Sequence, residues 1–242
     1  MSKEHFSHVG SKQLLDLIEQ AGHKGGTSRG AAFADFLEIV VCTLSGQQME
    51  DAYLKAVKRY CDGEKGKRGV DRMAEAFGML INQMTETDAD ILGDMFQGGI
   101  TWGEHGQFYT PPPVTELMAQ MTTEHDPEVK TVMDPCCGSG RMLLAVSKVN
   151  PHWRFYGQDI DLRCVRITAI NLALRNLYSE ITWGDTVRNE RRLIYQTGFN
   201  GKGVIREIPI PDPPPAPPPT GLEPDTEPRR EIGDVVQGSL FN

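Results

Sequence analysis

Apolar side chains along the first hundred positions recur with the period of helices. In SKQLLDLIEQ, Leu14, Leu15 and Ile18 stand at i, i+1 and i+4, and Ser11 is placed to cap the helix. Residues 31–44 (AAFADFLEIVVCTL) are apolar nearly all round, as in a buried helix. After Asp71, a second candidate cap, Met73, Ala76, Phe77, Leu80, Ile81 and Met84 fall at i, i+3, i+4, i+7, i+8 and i+11, one face of a helix. These stripes predict an all-helical region over residues 1–100, ending near Gln97-Gly98-Gly99.

From about Lys130 the pattern changes. Thr131-Val132-Met133 reads as a short buried strand, followed by the glycine-containing turn DPCCGSG and a helix over 141–149. Arg154-Phe155-Tyr156-Gly157 reads as a second strand. Residues 162–177 read as a helix with Leu162, Val165, Ala169, Leu172 and Ala173 on one face, and Ile181-Thr182-Trp183 as a third strand. Strand–helix–strand–helix–strand predicts an α/β domain over 101–210, with a parallel sheet and right-handed crossovers. A fourth strand is expected at Val204–Ile210.

Composition changes the picture at the C-terminal end. Ten of the 16 prolines of this 242-residue chain fall between Pro209 and Pro228. Residues 211–236 are therefore expected to form an extended, disordered linker, with a separate short peptide at 237–242. No apolar run approaches the ~20 residues of a membrane span. The polar start, MSKEHFSHVG, lacks the apolar stretch of a signal peptide, so a cytoplasmic protein with no membrane partner is expected. The five cysteines are odd in number and show no CxxC spacing. His5-x-x-His8 stands alone, and no metal site is predicted.

The net charge of −8 argues against a generally basic nucleic-acid binder, but the tail 211–242 carries −4 of it. Two segments are basic: 55–72, with seven basic and three acidic residues, and 187–206, with five basic residues against Glu190 alone. Lys65, Lys67 and Arg68 in the first, and Arg188, Arg191 and Arg192 in the second, are candidates for phosphate contacts. A solvated helix face or loop is the competing reading of each.

In parallel α/β sheets the ligand lies across the carboxyl ends of the strands. Each of the first three strands here ends in an acid: Asp134 with Gly138 and Gly140, then Asp159, then Asp185. The glycines let the backbone approach a ligand closely. Asp159 comes 19 residues after Gly140, where a carboxylate accepts both hydroxyls of a nucleotide-like ribose. Asp185 is placed to accept from an adenine amino group. Three carboxylates disfavour a pyrophosphate and favour a ligand with ribose, adenine and a positive centre, which describes S-adenosylmethionine.

Four segments carry a resemblance: GQFYTPPPVTELM (106–118), DPCCGSGRMLLAV (134–146), GQDID (157–161) and ITAINLALRNL (167–177). In this order they resemble the modification subunits of type I restriction enzymes and related adenine-specific DNA methyltransferases. The likeness covers about 104–186 closely and the helical region loosely. It implies a Rossmann-like S-adenosylmethionine-dependent methyltransferase core preceded by a helical region. It further implies that Phe108, Tyr109, Thr110 and Pro111 close over the methionine part of the cofactor. Asp134, Pro135, Gly138, Ser139 and Gly140 match the cofactor loop, Asp159 the ribose acid and Asp185 the residue near adenine. The implied function is methylation of the exocyclic amino group of adenine in DNA. The alternative is a catalytically inactive, cofactor-binding homologue serving as a DNA- or replication-associated subunit.

Two departures bear on catalysis. Family members carry [DNS]PP[YFW] after the fourth strand. There, a side-chain oxygen and a proline carbonyl accept the two hydrogens of the target amino group, and the aromatic stacks on the flipped-out base. The nearest match is Asp212-Pro213-Pro214, with Pro215 in place of the aromatic. It is either a degenerate catalytic turn or the start of the linker, and Tyr195 and Phe199 are the nearby candidates for stacking. The family's sheet has seven strands, whereas at most four are legible here. Either the sheet is truncated and completed by a partner, or the fold is a minimal version. A specificity subunit is the other expected partner, because no target-recognition domain is legible.

The last six residues, QGSLFN, resemble the peptide by which bacterial proteins dock on the sliding clamp of the replicative polymerase. Gln237 would fix register while Leu240 and Phe241 fill a pocket, with the linker acting as tether. Deleting Leu240 and Phe241 is expected to abolish binding to a purified bacterial clamp in a surface-binding assay. No binding by the intact chain would reject this reading.

Overall fold

The computed structural model describes residues 6–101, 110–123, 131–199 and 204–211. The chain divides into two units, Met1–Ile210 and Pro211–Asn242, and every described element lies in the first.

The N-terminal region is helical, as expected: α1 (Val9–Lys24), α2 (Arg29–Ser45), α3 (Glu50–Val57), α4 (Gly69–Thr87) and the short α5 (Ile91–Met95), which runs into a π-helical turn over Phe96–Ile100. Two caps differ from the sequence reading. Helix α1 begins two residues before Ser11, whose hydroxyl is buried in the helix and finds no partner among the described residues. Asp71 sits inside the first turn of α4, where its carboxylate accepts the N–H groups of Arg68 and Gly66. It thus closes the helix start from within. Met73, Ala76, Leu80 and Met84 form the buried stripe of α4, while Ile81 lies on the exposed flank. Helix α2, apolar on every side, is buried among its neighbours. Phe33 stacks on Phe96 of the π-turn at 5.9 Å between ring centroids, a pairing worth about 0.5–1.5 kcal/mol beyond area burial.

The α/β part contains α6 (Pro112–Thr123), β1 (Thr131–Asp134), α7 (Arg141–Val149), β2 (Arg154–Asp159), α8 (Leu162–Leu174), β3 (Ser179–Trp183), β4 (Leu193–Thr197) and β5 (Ile205–Ile208). The sheet runs in sequence order, β1-β2-β3-β4-β5. The first three strands are parallel, and β4 and β5 add antiparallel neighbours to β3. Two expectations are corrected here. The sheet is mixed rather than parallel and holds five strands rather than four, because LIYQT, within a segment notable for its charges, forms β4. Helix α6 was also not foreseen, since a run of prolines precedes it; Pro111 starts it by accepting the N–H groups of Val114 and Thr115.

Right-handed crossovers place α7 and α8 on one face of the sheet. The strand residues facing them, Phe155, Ser179, Ile181, Tyr195, Thr197 and Ile205, are buried. Helix α2 packs on α8 and β5 from the same side, fastened by the Glu38–Arg166 ion pair at 3.1 Å. The opposite face carries a polar ladder in register across three strands. Arg206 donates to Gln196 (2.7 Å), which donates to Glu180 (3.0 Å) and to the Tyr178 hydroxyl (2.9 Å). Such a face does not ask for an apolar cover.

The two sheet edges differ. At β5 the Gln48 side-chain amide donates to the Glu207 carbonyl (2.9 Å) and accepts the Glu207 N–H (3.3 Å), standing in for a neighbouring strand. At β1 no strand pairs with the outer edge among the described residues. The short buried strand expected at Thr131–Met133 is therefore an edge strand, with Thr131 and Met133 exposed. Beside it in sequence, α6 buries Thr115 and Ala119 and exposes Val114, Leu117 and Met121, an apolar stripe at i, i+3 and i+7. No described helix is long and apolar enough to cross a membrane.

Candidate functional site

The carboxyl ends of β1, β2 and β3 meet around one tight turn, residues 135–140. Cys137 donates its N–H to the Gln158 carbonyl (3.0 Å) and Gly138 donates to the Asp159 carboxylate (2.9 Å), so the turn is drawn across the end of β2. Gly140 has φ +83°, and a side chain there would press on Thr168 of α8. The Thr168 hydroxyl donates to the Gly138 carbonyl at 2.9 Å. Gly157 in β2 leaves room for Cys137, whose thiol burial and the nearby Asp159 charge push well above its usual range.

The predicted acids occupy three different situations. Asp159 accepts the N–H groups of Gly138 and Asp161, one on each oxygen, with a lone pair left on each. Burial holds its carboxyl above the usual range, against the pull of those two bonds. Such a group gains from further neutral donors, and the two hydroxyls of a ribose meet that need. Among the described residues Asp134 accepts the Cys136 N–H (3.1 Å), and burial pushes it up as well. Asp185 folds its own loop, accepting the N–H groups of Val187 (2.9 Å) and Arg188 (3.1 Å). That loop is tied to the glycine turn by the bond from Thr186 to the Pro135 carbonyl (2.7 Å). The structure thus brings Asp134, Pro135, Gly138, Ser139, Gly140, Asp159 and Asp185 together at one end of the sheet.

Thr110 and Pro111 are exposed at the start of α6. Phe108, Tyr109, Asp212, Pro213, Pro214, Gln237, Leu240 and Phe241 lie outside the described residues. Tyr195, one candidate for base stacking, is instead buried in β4, which removes it from that role. Phe199 lies under the Arg206 guanidinium (4.2 Å).

The basic candidates fall on separate elements. Arg68 is committed to Asp71 through two bonds, 3.1 and 2.8 Å, and Lys67 pairs with Glu64 (2.9 Å) before α4, where Lys65 is exposed. Arg188, Arg191 and Arg192 lie in the β3–β4 turn, at the same end of the sheet as the acids. Arg192 pairs with Glu190 (3.0 Å) and covers the Trp183 ring.

Several site residues escape a reading of motifs. Ile160, directly after Asp159, is 62% exposed, an apolar surface beside the acid. Thr168 and Asn171 are wholly buried polar residues on apolar α8, and their spacing of three on a core-facing helix was a usable signal. Asp90, from the helical region, reaches Ser139, Arg141 and Asn171, and nothing local to its sequence announced it.

The raised acid has a stability consequence. Folding disfavours ionised Asp134, so its penalty is absent below the ordinary carboxylate pKa and is complete once the pH passes the raised folded value. Asp134→Asn keeps the oxygen that receives the Cys136 N–H. It is expected to raise the melting temperature of the ligand-free chain near pH 7 and leave it unchanged near pH 3. A rise of equal size at both pH values, followed by calorimetry, would contradict this account.

Residues 87–198 match the model of the N-6 DNA Methylase family. Among curated proteins, the type I restriction enzyme MjaVIII methylase subunit of Methanocaldococcus jannaschii is 26% identical over 141 residues, 54% of this chain and 24% of that protein. The MjaVII methylase subunit of the same organism is 31% identical over 128 residues, 46% of this chain and 22% of that protein. The chain thus spans about a quarter of the length of these relatives. A solved type I restriction-modification methyltransferase subunit from Streptococcus thermophilus aligns over 77% of this chain and 60% of its own, with TM-score 0.43 and 15% identity. The segment that matches the N-6 DNA methylase model, residues 87–198, holds Asp90, the glycine turn and all three strand-end acids.

Proposed function

We propose that this chain is the cofactor-binding part of an S-adenosylmethionine-dependent DNA methyltransferase acting on the exocyclic amino group of adenine. The observation that carries this is the glycine turn closed on Asp159 inside the segment that matches the N-6 DNA methylase model. When bound, the cofactor supplies an electrophilic methyl carbon, which the amino nitrogen takes as the carbon–sulfur electron pair passes to sulfur and the amino group sheds a proton.

The chain's own residues bind and orient. Asp159 accepts from the ribose hydroxyls, and Gly138 and Gly140 let the backbone lie against the ligand. Asp134 and Asp159 together favour a cationic ligand over a phosphate. Ile160 offers an apolar surface for a purine ring. Arg188 and Arg191, in a turn at the same end of the sheet, meet the DNA backbone.

DNA and a sheet-completing subunit are the partners in this reading. β5 is the edge strand farthest from β1; four strand spacings of about 4.8 Å separate them by about 19 Å. A turn that follows β5, as Asp212-Pro213-Pro214 does in sequence, therefore starts far from β1. The acceptors for the target amino group come instead from a strand laid against β1, with the α6 stripe covered by the same polypeptide. Asp212 then opens the linker.

The full chain is expected to bind S-adenosylmethionine in titration calorimetry, with binding lost in Asp159→Ala. It is expected to place labelled methyl groups on N6 of adenine in unmethylated DNA once the completing subunit is present. Tight binding without any transfer in that assembly would reject the enzymatic reading. For the β1 edge, alternate amides of 131–134 are expected to exchange with solvent within seconds in the isolated chain. Slow exchange there would mean the edge is already occupied.

A further inference from the structure

The carboxylate of Asp90 lies where the helical region meets the cofactor turn, and its side chain is only 8% exposed. One oxygen accepts the Gly93 N–H (2.8 Å), making Asp90 the cap of α5, and the Asn171 amide (2.8 Å). The other accepts the Ser139 hydroxyl (2.5 Å) and Nε of Arg141 (2.8 Å). Four donors from three parts of the chain thus converge on one buried carboxylate. Ser139 stands between the two positive-φ glycines, Gly138 and Gly140, and Arg141 is the first residue of α7.

Asn171 reinforces this arrangement. Its amide nitrogen donates both to Asp90 and to the Ser139 carbonyl (3.0 Å), which fixes the side chain's orientation. Its oxygen is buried and finds no partner among the described residues. Burying an unsatisfied amide oxygen is costly, and the two donated bonds are what offsets that cost here. Both converge on the same serine, one directly and one through Asp90.

A cap for a five-residue helix needs one acceptor contact. Asp90 makes three more, and all three go to the cofactor turn or its supports. We propose that Asp90 is a positioning residue for the cofactor turn: from the helical region it sets the Ser139 hydroxyl, the start of α7 and hence the backbone of residues 138–140 in the shape that receives the ligand. This rests on the reading of that turn as an S-adenosylmethionine site. It extends that reading by making cofactor affinity depend on how the helical region is seated.

Asp94, one turn on, provides the control. It is buried too and accepts the N–H groups of Ser7 (2.8 Å) and His8 (3.1 Å), tying the start of α1 to α5, with no hydrogen bond to the turn among the described residues. Asp90→Asn preserves volume but presents an amide to Arg141 or Ser139 where a carboxylate oxygen stood. In the full chain, at a temperature where all variants are folded by circular dichroism, Asp90→Asn is expected to weaken S-adenosylmethionine binding at least about tenfold. Asp94→Asn is expected to lower the melting temperature and leave the affinity within about twofold of the parent, on the same scale. If Asp90→Asn does not fold, Ser139→Ala, which deletes one hydroxyl, gives the same direction with a smaller loss.

Amide exchange at Ser139 and Gly140 in the ligand-free chain gives a second readout. It is expected to be faster in Asp90→Asn than in Asp94→Asn. Parental affinity in Asp90→Asn, equal losses in both variants, or unchanged exchange at the turn would each overturn the proposal. A parent chain that binds no S-adenosylmethionine would overturn the cofactor reading instead, and the exchange comparison would still decide whether Asp90 holds the turn.

Discussion

A carboxylate taken out of water must be surrounded by donors, and in this chain that requirement joins two regions that the sequence presents as separate. Asp90 meets it with groups from α5, the glycine turn and α8. Within the helical region, the stacking of Phe33 on Phe96 fixes the π-turn that follows α5. Arg163 of α8 lies over the same Phe96 ring at 4.8 Å. The apolar core supplies the driving force for this joint, and the donors converging on Asp90 supply its geometry. Interiors tolerate small mismatches in apolar packing better than an unpaired buried charge.

The same division between driving force and geometry describes the sheet. Its buried face is apolar apart from the paired hydroxyls of Ser179 and Thr197 (2.8 Å). Its other face is held in register by the Glu180–Gln196–Arg206 ladder. The parallel strands β1 to β3 bring acids to one end, because a right-handed crossover returns each strand in the same direction. The antiparallel β4 and β5 add width on the far side of β3. What they contribute is the β3–β4 turn, whose Thr186 fastens to Pro135 and whose Asp185 is spent on its own loop. Asp159 and Asp185 end neighbouring strands and hold different partners, Asp159 the N–H groups of Gly138 and Asp161 and Asp185 those of its own loop.

Much of this was legible in the sequence, for identifiable reasons. Helices α2, α4, α7 and α8 and strands β1 to β3 carry local periodicity, and local periodicity survives into structure. The glycine turn and Asp159 were legible because glycine adopts the positive φ found at Gly138 and Gly140 at least cost, and because an acid closing the second strand follows the turn at a recognisable spacing. Strand β4 was obscured by the charges around it. Helix α6 was obscured by prolines, which start a helix as readily as they break one. Asp90 was illegible in principle, since its partners lie 49, 51 and 81 residues away and nothing near it has unusual composition. The edge status of β1 was equally non-local: whether TVMD is central or peripheral depends on what pairs beyond it.

The Gln48 amide on β5 has a consequence for how many chains can gather along the sheet. An exposed strand is a template for another, and a sheet open at both edges adds members without limit. Here one edge already has its acceptor and donor filled at Glu207 by a side chain that carries no further strand behind it. Among the described residues, β5 is therefore the blunted edge and β1 the one whose outer side pairs with no strand, so the two edges differ in how readily a further strand could be laid on them.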